Sequence, residues 1–76
     1  MIEKKVDLLK IKNLRKTFNF SLEDMAKKLG YDSPNGYYYL ESGRSKFSAE
    51  ALVKVADIFN ISIEELFLNK RLPKWQ

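Results

Sequence analysis

Two adjoining stretches decide how this chain folds: Ser21-Leu22-Glu23-Asp24-Met25-Ala26-Lys27-Lys28-Leu29-Gly30, and directly after it Tyr31-Asp32-Ser33-Pro34-Asn35-Gly36-Tyr37-Tyr38-Tyr39-Leu40-Glu41-Ser42-Gly43-Arg44. In the first, Leu22, Met25, Ala26 and Leu29 fall at i, i+3, i+4 and i+7, the apolar stripe of a two-turn helix. The Ser21 hydroxyl is placed to accept from an orphan first-turn amide, and Glu23 and Asp24 put negative charge at the positive helix end. Gly30 stands where a left-handed residue ends the helix. The second stretch admits two readings. Asn35-Gly36 followed by aromatics suits a hairpin turn leading into a strand, but no apolar-alternating strand precedes Asn35 to pair with it. Ser33-Pro34 instead reads as an N-cap followed by an N1 proline. That order predicts a third helix from about Pro34 to Ser42, closed by a left-handed Gly43.

Outward from this centre the punctuation is equally regular. Upstream, Leu8, Ile11, Leu14 and Phe18 are spaced by three or four, which predicts a first helix from about Val6 to Lys16. Downstream, the loop Arg44-Ser45-Lys46-Phe47 leads to Ser48, a further N-cap candidate. Leu52, Val55, Ala56 and Phe59 repeat the two-turn stripe, and Asn60 suits the left-handed position after it. Ser62-Ile63-Glu64-Glu65 has the spacing of a capping box and predicts a fifth helix with Leu66 and Phe67 inward. The expected fold is all-α, a bundle of five short helices without a sheet. It is read as one domain over 1–76, with its core in about 6–68 and a tail at 69–76.

Composition narrows the function. A chain of 76 residues buries about 60% of the surface it exposes unfolded, and 45% hydrophobic residues suffice for one small core. Without cysteine there is no disulfide or thiolate metal site to add stability. No apolar run reaches the length of a leader or a membrane span, which predicts a cytoplasmic protein. Fourteen Lys and Arg against ten Asp and Glu give a net charge of +4, compatible with a polyanionic partner. An enzyme is not expected: there is no histidine, no cysteine and no glycine-rich phosphate loop. Glu23-Asp24 and Glu64-Glu65 follow N-cap serines and read as helix-end charge rather than acid/base pairs.

A capped helix, a short turn beginning with glycine and a second capped helix form the arrangement that offers a helix to a major groove. From about Leu9 to Phe67 the sequence resembles the phage lambda repressor and Cro type of helix-turn-helix, also called Xre-like. The resemblance is carried by Ile11, Leu14-Arg15, Ser21 through Ala26, Leu29-Gly30, Leu40 through Arg44, and Leu52 through Phe67. Two features depart from it. The segment Gly30 to Glu41 is one residue longer than the commonest spacing, and Leu22 stands where the family usually has a glutamine that touches a phosphate.

The resemblance implies a transcriptional regulator, a repressor, that binds double-stranded DNA. It further implies a prokaryotic or phage source, nucleoid association when bound, and no cofactor or metal. It assigns base reading to the exposed face of helix three: Pro34, Asn35, Gly36, Tyr38 and Tyr39, with Tyr37 and Leu40 inward. Asn35 can pair with adenine, a tyrosine can bring its ring to a thymine methyl, and Gly36 allows close approach. Arg44 and Lys46 in the following loop, with Ser33 and Asn35 at the positive N-terminal end of the helix, are expected at phosphates, and Ser42 is a further DNA-binding candidate. Arg15 and Glu41 match positions that form a partly buried ion pair.

Tyrosine-rich surfaces also suit protein interfaces, so the competing reading is a protein-interaction module, or an antitoxin or maintenance regulator that binds both DNA and protein. A single domain of this kind reads a half-site, which predicts a homodimer on a pseudo-palindromic operator. Leu68, Leu72 and Trp75 are candidate dimer contacts, with Pro73 limiting any helix there. Their alternative is to fold back on the chain's own core.

Overall fold

The computed structural model describes residues 5–68. The chain runs through β1 (Lys5–Val6), α1 (Leu8–Thr17), α2 (Leu22–Leu29), α3 (Pro34–Glu41), α4 (Ala49–Phe59), a 3-10 helix (Ile63–Leu66) and β2 (Phe67–Leu68). Side-chain oxygens start three of the α-helices. Asp7 Oδ1 accepts from the Lys10 amide at 3.1 Å, Ser21 Oγ from Asp24 at 3.0 Å and Ser48 Oγ from Ala51 at 3.0 Å. In α2 the Asp24 carboxylate also accepts from the Ser21 amide at 2.8 Å, which completes a capping box.

All four α-helices end alike. Asn19, Gly30, Gly43 and Asn60 carry positive φ, from 56° to 87°. At each the amide of that residue and the next turn back onto carbonyls of the last helical turn. These are Schellman caps, which satisfy carbonyls otherwise left without donors.

Ile11, Met25, Leu29, Tyr37, Leu52, Val55, Phe59 and Leu66 are buried in one cluster, so every helix contributes to the same core. α2 and α3 pack on each other more extensively than any other pair. Phe18 stays outside this cluster, but its ring meets Phe59 at 5.0 Å and Phe20 at 5.8 Å over the end of α4.

Three expectations need correction. The described residues contain four α-helices, not five: the last helical segment is one 3-10 turn. The Ser62 side chain makes no cap bond there, and Glu65 instead reaches Lys10 of α1 at 3.7 Å. A sheet is present, because β1 and β2 pair antiparallel with Lys5 opposite Leu68 and Val6 opposite Phe67. Val6 therefore belongs to a strand and α1 begins at Leu8, after the Asp7 amide donates to the Leu66 carbonyl at 2.7 Å. Pairing the two ends satisfies backbone groups that a continued helix would have satisfied internally. Leu68 lies in this ribbon, whereas Leu72 and Trp75 fall outside the described residues.

Candidate nucleic-acid interface

The site is built on α3, which follows α2 after the turn Gly30 to Ser33. Tyr31, next after the left-handed Gly30, is half-buried, and its ring carbons lie 3.4 Å from where a Cβ on Gly36 would stand. The first turn of α3 thus packs closely on the turn before it.

The orientation of α3 is set from inside. Arg15 Nε and Nη2 of α1 donate to Glu41 Oε2 and Oε1 at 2.9 and 3.0 Å, a bidentate pair, while Nη1 donates to the Phe20 carbonyl at 3.0 Å. The Tyr37 hydroxyl donates to the same Glu41 oxygen at 2.7 Å. Both charged side chains are largely covered, at 11% exposure for Arg15 and 6% for Glu41. The network joins α1, the α1–α2 connection and α3, and no buried side-chain polar atom among the described residues is left without a partner. Glu41 raises the Arg15 pKa, chiefly through its hydrogen bonds, against an opposing effect of burial. Burial, and then the bond to Glu41, pushes the Tyr37 phenol far above its ordinary value.

With Tyr37 and Leu40 buried, the opposite side of α3 is outward. Ser33, Pro34 and Asn35 are exposed and Gly36 is half-buried. Tyr38 is 45% and Tyr39 40% exposed, and their ring centroids lie 6.2 Å apart at 52°. The Ser33 side chain makes no cap bond, so its hydroxyl is not committed to the α3 amides. At the other end, Ser42 Oγ donates to the Tyr39 carbonyl at 3.2 Å. Arg44 and Lys46 are exposed beyond Gly43, and the Arg44 guanidinium carbon sits 5.4 Å from the centre of the Tyr39 ring. Leu22 is half-buried against the core and offers only a methyl surface at the start of α2.

The structure therefore gathers Ser33, Pro34, Asn35, Gly36, Tyr38 and Tyr39 on one helix, with Ser42, Arg44 and Lys46 at its far end. It joins Arg15 to Glu41, and it adds Tyr37 and the Phe20 carbonyl to that pair. Tyr37 was legible in principle, since residues four apart on a helix are neighbours. The Phe20 carbonyl carried no side-chain signal at all.

The helix-turn-helix family model matches residues 11–66. The chain belongs to this family. Its lambda repressor-type character agrees with the α2–turn–α3 unit. Among relatives, an uncharacterized HTH-type transcriptional regulator of Archaeoglobus fulgidus is 31% identical over 67 residues, which cover 88% of this chain and 93% of that protein. No solved structure matches the chain. In this helix-turn-helix chain none of the described helices is long and apolar enough to cross a membrane.

Proposed function

We propose that this chain is a cytoplasmic, sequence-specific DNA-binding transcription regulator, a repressor without catalytic activity or cofactor, that reads the major groove with α3. The observation that carries the reading is the outward face of α3 in a helix-turn-helix unit. Its core-facing side is fully engaged, and Asn35, Tyr38 and Tyr39 are left for another molecule.

Each group has a role by its chemistry. The Asn35 amide both donates and accepts, which suits the N7 and N6 edge of adenine. Tyr38 brings a ring and a hydroxyl to the same groove, and Tyr39 borders it. Ser33 and the α3 N-terminus, Ser42, Arg44 and Lys46 contact phosphates and set the docking register. A unit of this size reads a half-site, so the operator is a pseudo-palindrome bound by a homodimer, with Leu68 and the tail residues Leu72 and Trp75 at the dimer contact. Chain 1–76 acts as one domain.

The test is selection of sites from random duplex DNA by the purified chain, followed by titration of their affinity against salt. One inverted-repeat motif and a log–log slope of about −0.9 per neutralised phosphate support the reading. Asn35→Ala then relaxes preference at one base pair, about 1–3 kcal/mol of discrimination. No binding even at low salt overturns it, and the exposed tyrosines then become a surface for a protein partner.

A further inference from the structure

We infer that Tyr39 is a positioning residue for Arg44: its ring holds the guanidinium in place as a preset phosphate contact, so that Tyr39 acts through Arg44 and does not read a base. The inference rests on the DNA-binding reading of the α3 face and assigns a division of labour within it.

The geometry begins at the end of α3. Gly43, with φ 87°, turns the chain so that its amide donates to the Leu40 carbonyl at 3.2 Å and the Arg44 amide donates to the Tyr39 carbonyl at 2.9 Å. The Ser45 amide at 3.0 Å and the Ser42 hydroxyl at 3.2 Å converge on the same Tyr39 oxygen. A Schellman cap brings these two side-chain positions, five apart in sequence, together, and an apolar pair commonly fills them. α2 and α4 do so with Ala26 and Tyr31, and with Ala56 and Ile61. In α3 the pair is Tyr39 and Arg44, with the guanidinium carbon 5.4 Å from the ring centroid, inside cation–π range.

The two arginines of the described chain differ in what surrounds them. Arg15 spends its donors on Glu41 and Phe20. Arg44 has no carboxylate partner among the described residues, and its contact is with an aromatic face. A guanidinium carries five N–H donors, and at Arg44 no carboxylate among the described residues engages them, so they stay available to a phosphate. The ring also limits the rotamers of a side chain that is otherwise free in solvent, so less freedom is lost on binding. Tyr38, which has no cation over it among the described residues, keeps the base-facing role.

The experiment is a double-mutant cycle on the whole chain, with Tyr39→Ala, Arg44→Ala and the pair, measured on the selected operator and on an unrelated duplex. Urea unfolding checks that each variant folds. Tyr39→Ala is expected to weaken both duplexes alike by about two- to fivefold, the reach of an exposed cation–π contact. In the Arg44→Ala background it has no further effect, and Tyr39→Phe binds like the parent. Arg44→Ala itself lowers the magnitude of the salt slope by about one. In the free protein, the Arg44 Hδ protons are shifted upfield by the ring, and Tyr39→Ala removes the shift. Additive losses, a Tyr39→Phe defect as large as that of Tyr39→Ala, or a changed preference at one base pair overturn the assignment while leaving the DNA reading intact. A parent chain that binds neither duplex overturns the DNA reading and the phosphate role together, and an absent ring shift overturns the clamp by itself.

Discussion

α2 and α3 are both eight residues long, lie next to each other in sequence and pack on one another, yet they are stabilised in different ways. α2 is held by its own sequence. It has a two-bond capping box, Glu23 and Asp24 in the first turn, Lys27 and Lys28 in the last, a Glu23–Lys27 pair one turn apart, and a left-handed Gly30. α3 has almost none of these. Its cap serine makes no side-chain bond, its end turns lack complementary charge, and its interior contains a glycine and three tyrosines, which are weak helix formers. The rest of the protein holds it instead, through buried Tyr37 and Leu40 and through Glu41 on Arg15. A helix held from behind has no structural demand on its outer residues, and that is why Asn35 and Tyr38 stay exposed while Tyr39 is left to meet Arg44.

The largest effect is expected where α3 depends on the other helices. Glu41→Ala strands the Arg15 guanidinium in a largely covered site and is expected to cost about 3–5 kcal/mol in urea unfolding. A triple variant, Arg15→Met with Tyr37→Phe and Glu41→Leu, recovers part of that loss, because no charge or hydroxyl of the network is left unpaired and only the Phe20 carbonyl loses its donor. If Glu41→Ala unfolds like the parent, α3 is not held by this network and the contrast with α2 fails.

The same latch gives an alkaline signature. Well below pH 10 the Tyr37 phenol is protonated in both the folded and unfolded states, so its contribution is fully present. Above that value the unfolded chain releases the proton while the folded chain keeps it, so stability falls by up to about 1.4 kcal/mol per pH unit. Unfolding measured between pH 9 and 11 (roughly the window in which an ordinary phenol ionises) is expected to show this fall. Tyr37→Phe flattens the part due to this residue and costs about 1.5–3 kcal/mol at neutral pH, for the lost bond to a carboxylate.

The caps sharpen the comparison at a smaller scale. Ser21→Ala is expected to cost about 1 kcal/mol, whereas Ser33→Ala, which removes no cap bond, changes stability by no more than a few tenths. Equal losses would mean that α3 is capped in solution after all. The α2 cap also has an acid signature. Its bonds to the Ser21 amide and hydroxyl lower the Asp24 pKa, so its contribution is present above the ordinary carboxylate value and is lost as pH falls through the depressed one. Acid titration of Ser21→Ala beside the parent reads that difference.

Gly36→Ala is expected to give a modest change in the opposite direction. Alanine favours the helix over glycine by up to about 1 kcal/mol, and the new Cβ meets the Tyr31 ring at ordinary contact distance. A rise in Tm supports the view that α3 has poor intrinsic propensity, and a fall would show that the Tyr31 packing does not yield.

What was legible in the sequence follows the range of the interactions. Ser21, Ser48, Gly30, Gly43 and Asn60 could be read in place because caps are made within five residues of the chain. The i, i+3, i+4, i+7 stripes likewise identified the inward faces of α2 and α4, and Pro34 marked the start of α3. The resemblance anticipated the Arg15–Glu41 pair across 26 positions. Spacing alone carries no information over that separation.

Tertiary structure decided the remainder. Ser62 to Glu65 has the capping-box pattern, but the Ser62 side chain makes no cap bond, Glu65 pairs with Lys10, and strand pairing with Lys5 and Val6 takes over the chain at Phe67. The cap-making pattern is local, whereas its competitors come from the opposite end of the chain, and local propensity is too weak to outweigh them. Of the three consecutive tyrosines, the resemblance placed Tyr37 inward. Only the assembled fold showed its hydroxyl on Glu41, and only the turned chain at Gly43 brought Arg44 over Tyr39. Local hydrogen bonds and periodicity thus settled where α2, α3 and α4 form and end. Long-range packing, which no short window of sequence contains, settled how α3 is held and which of its side chains remain free.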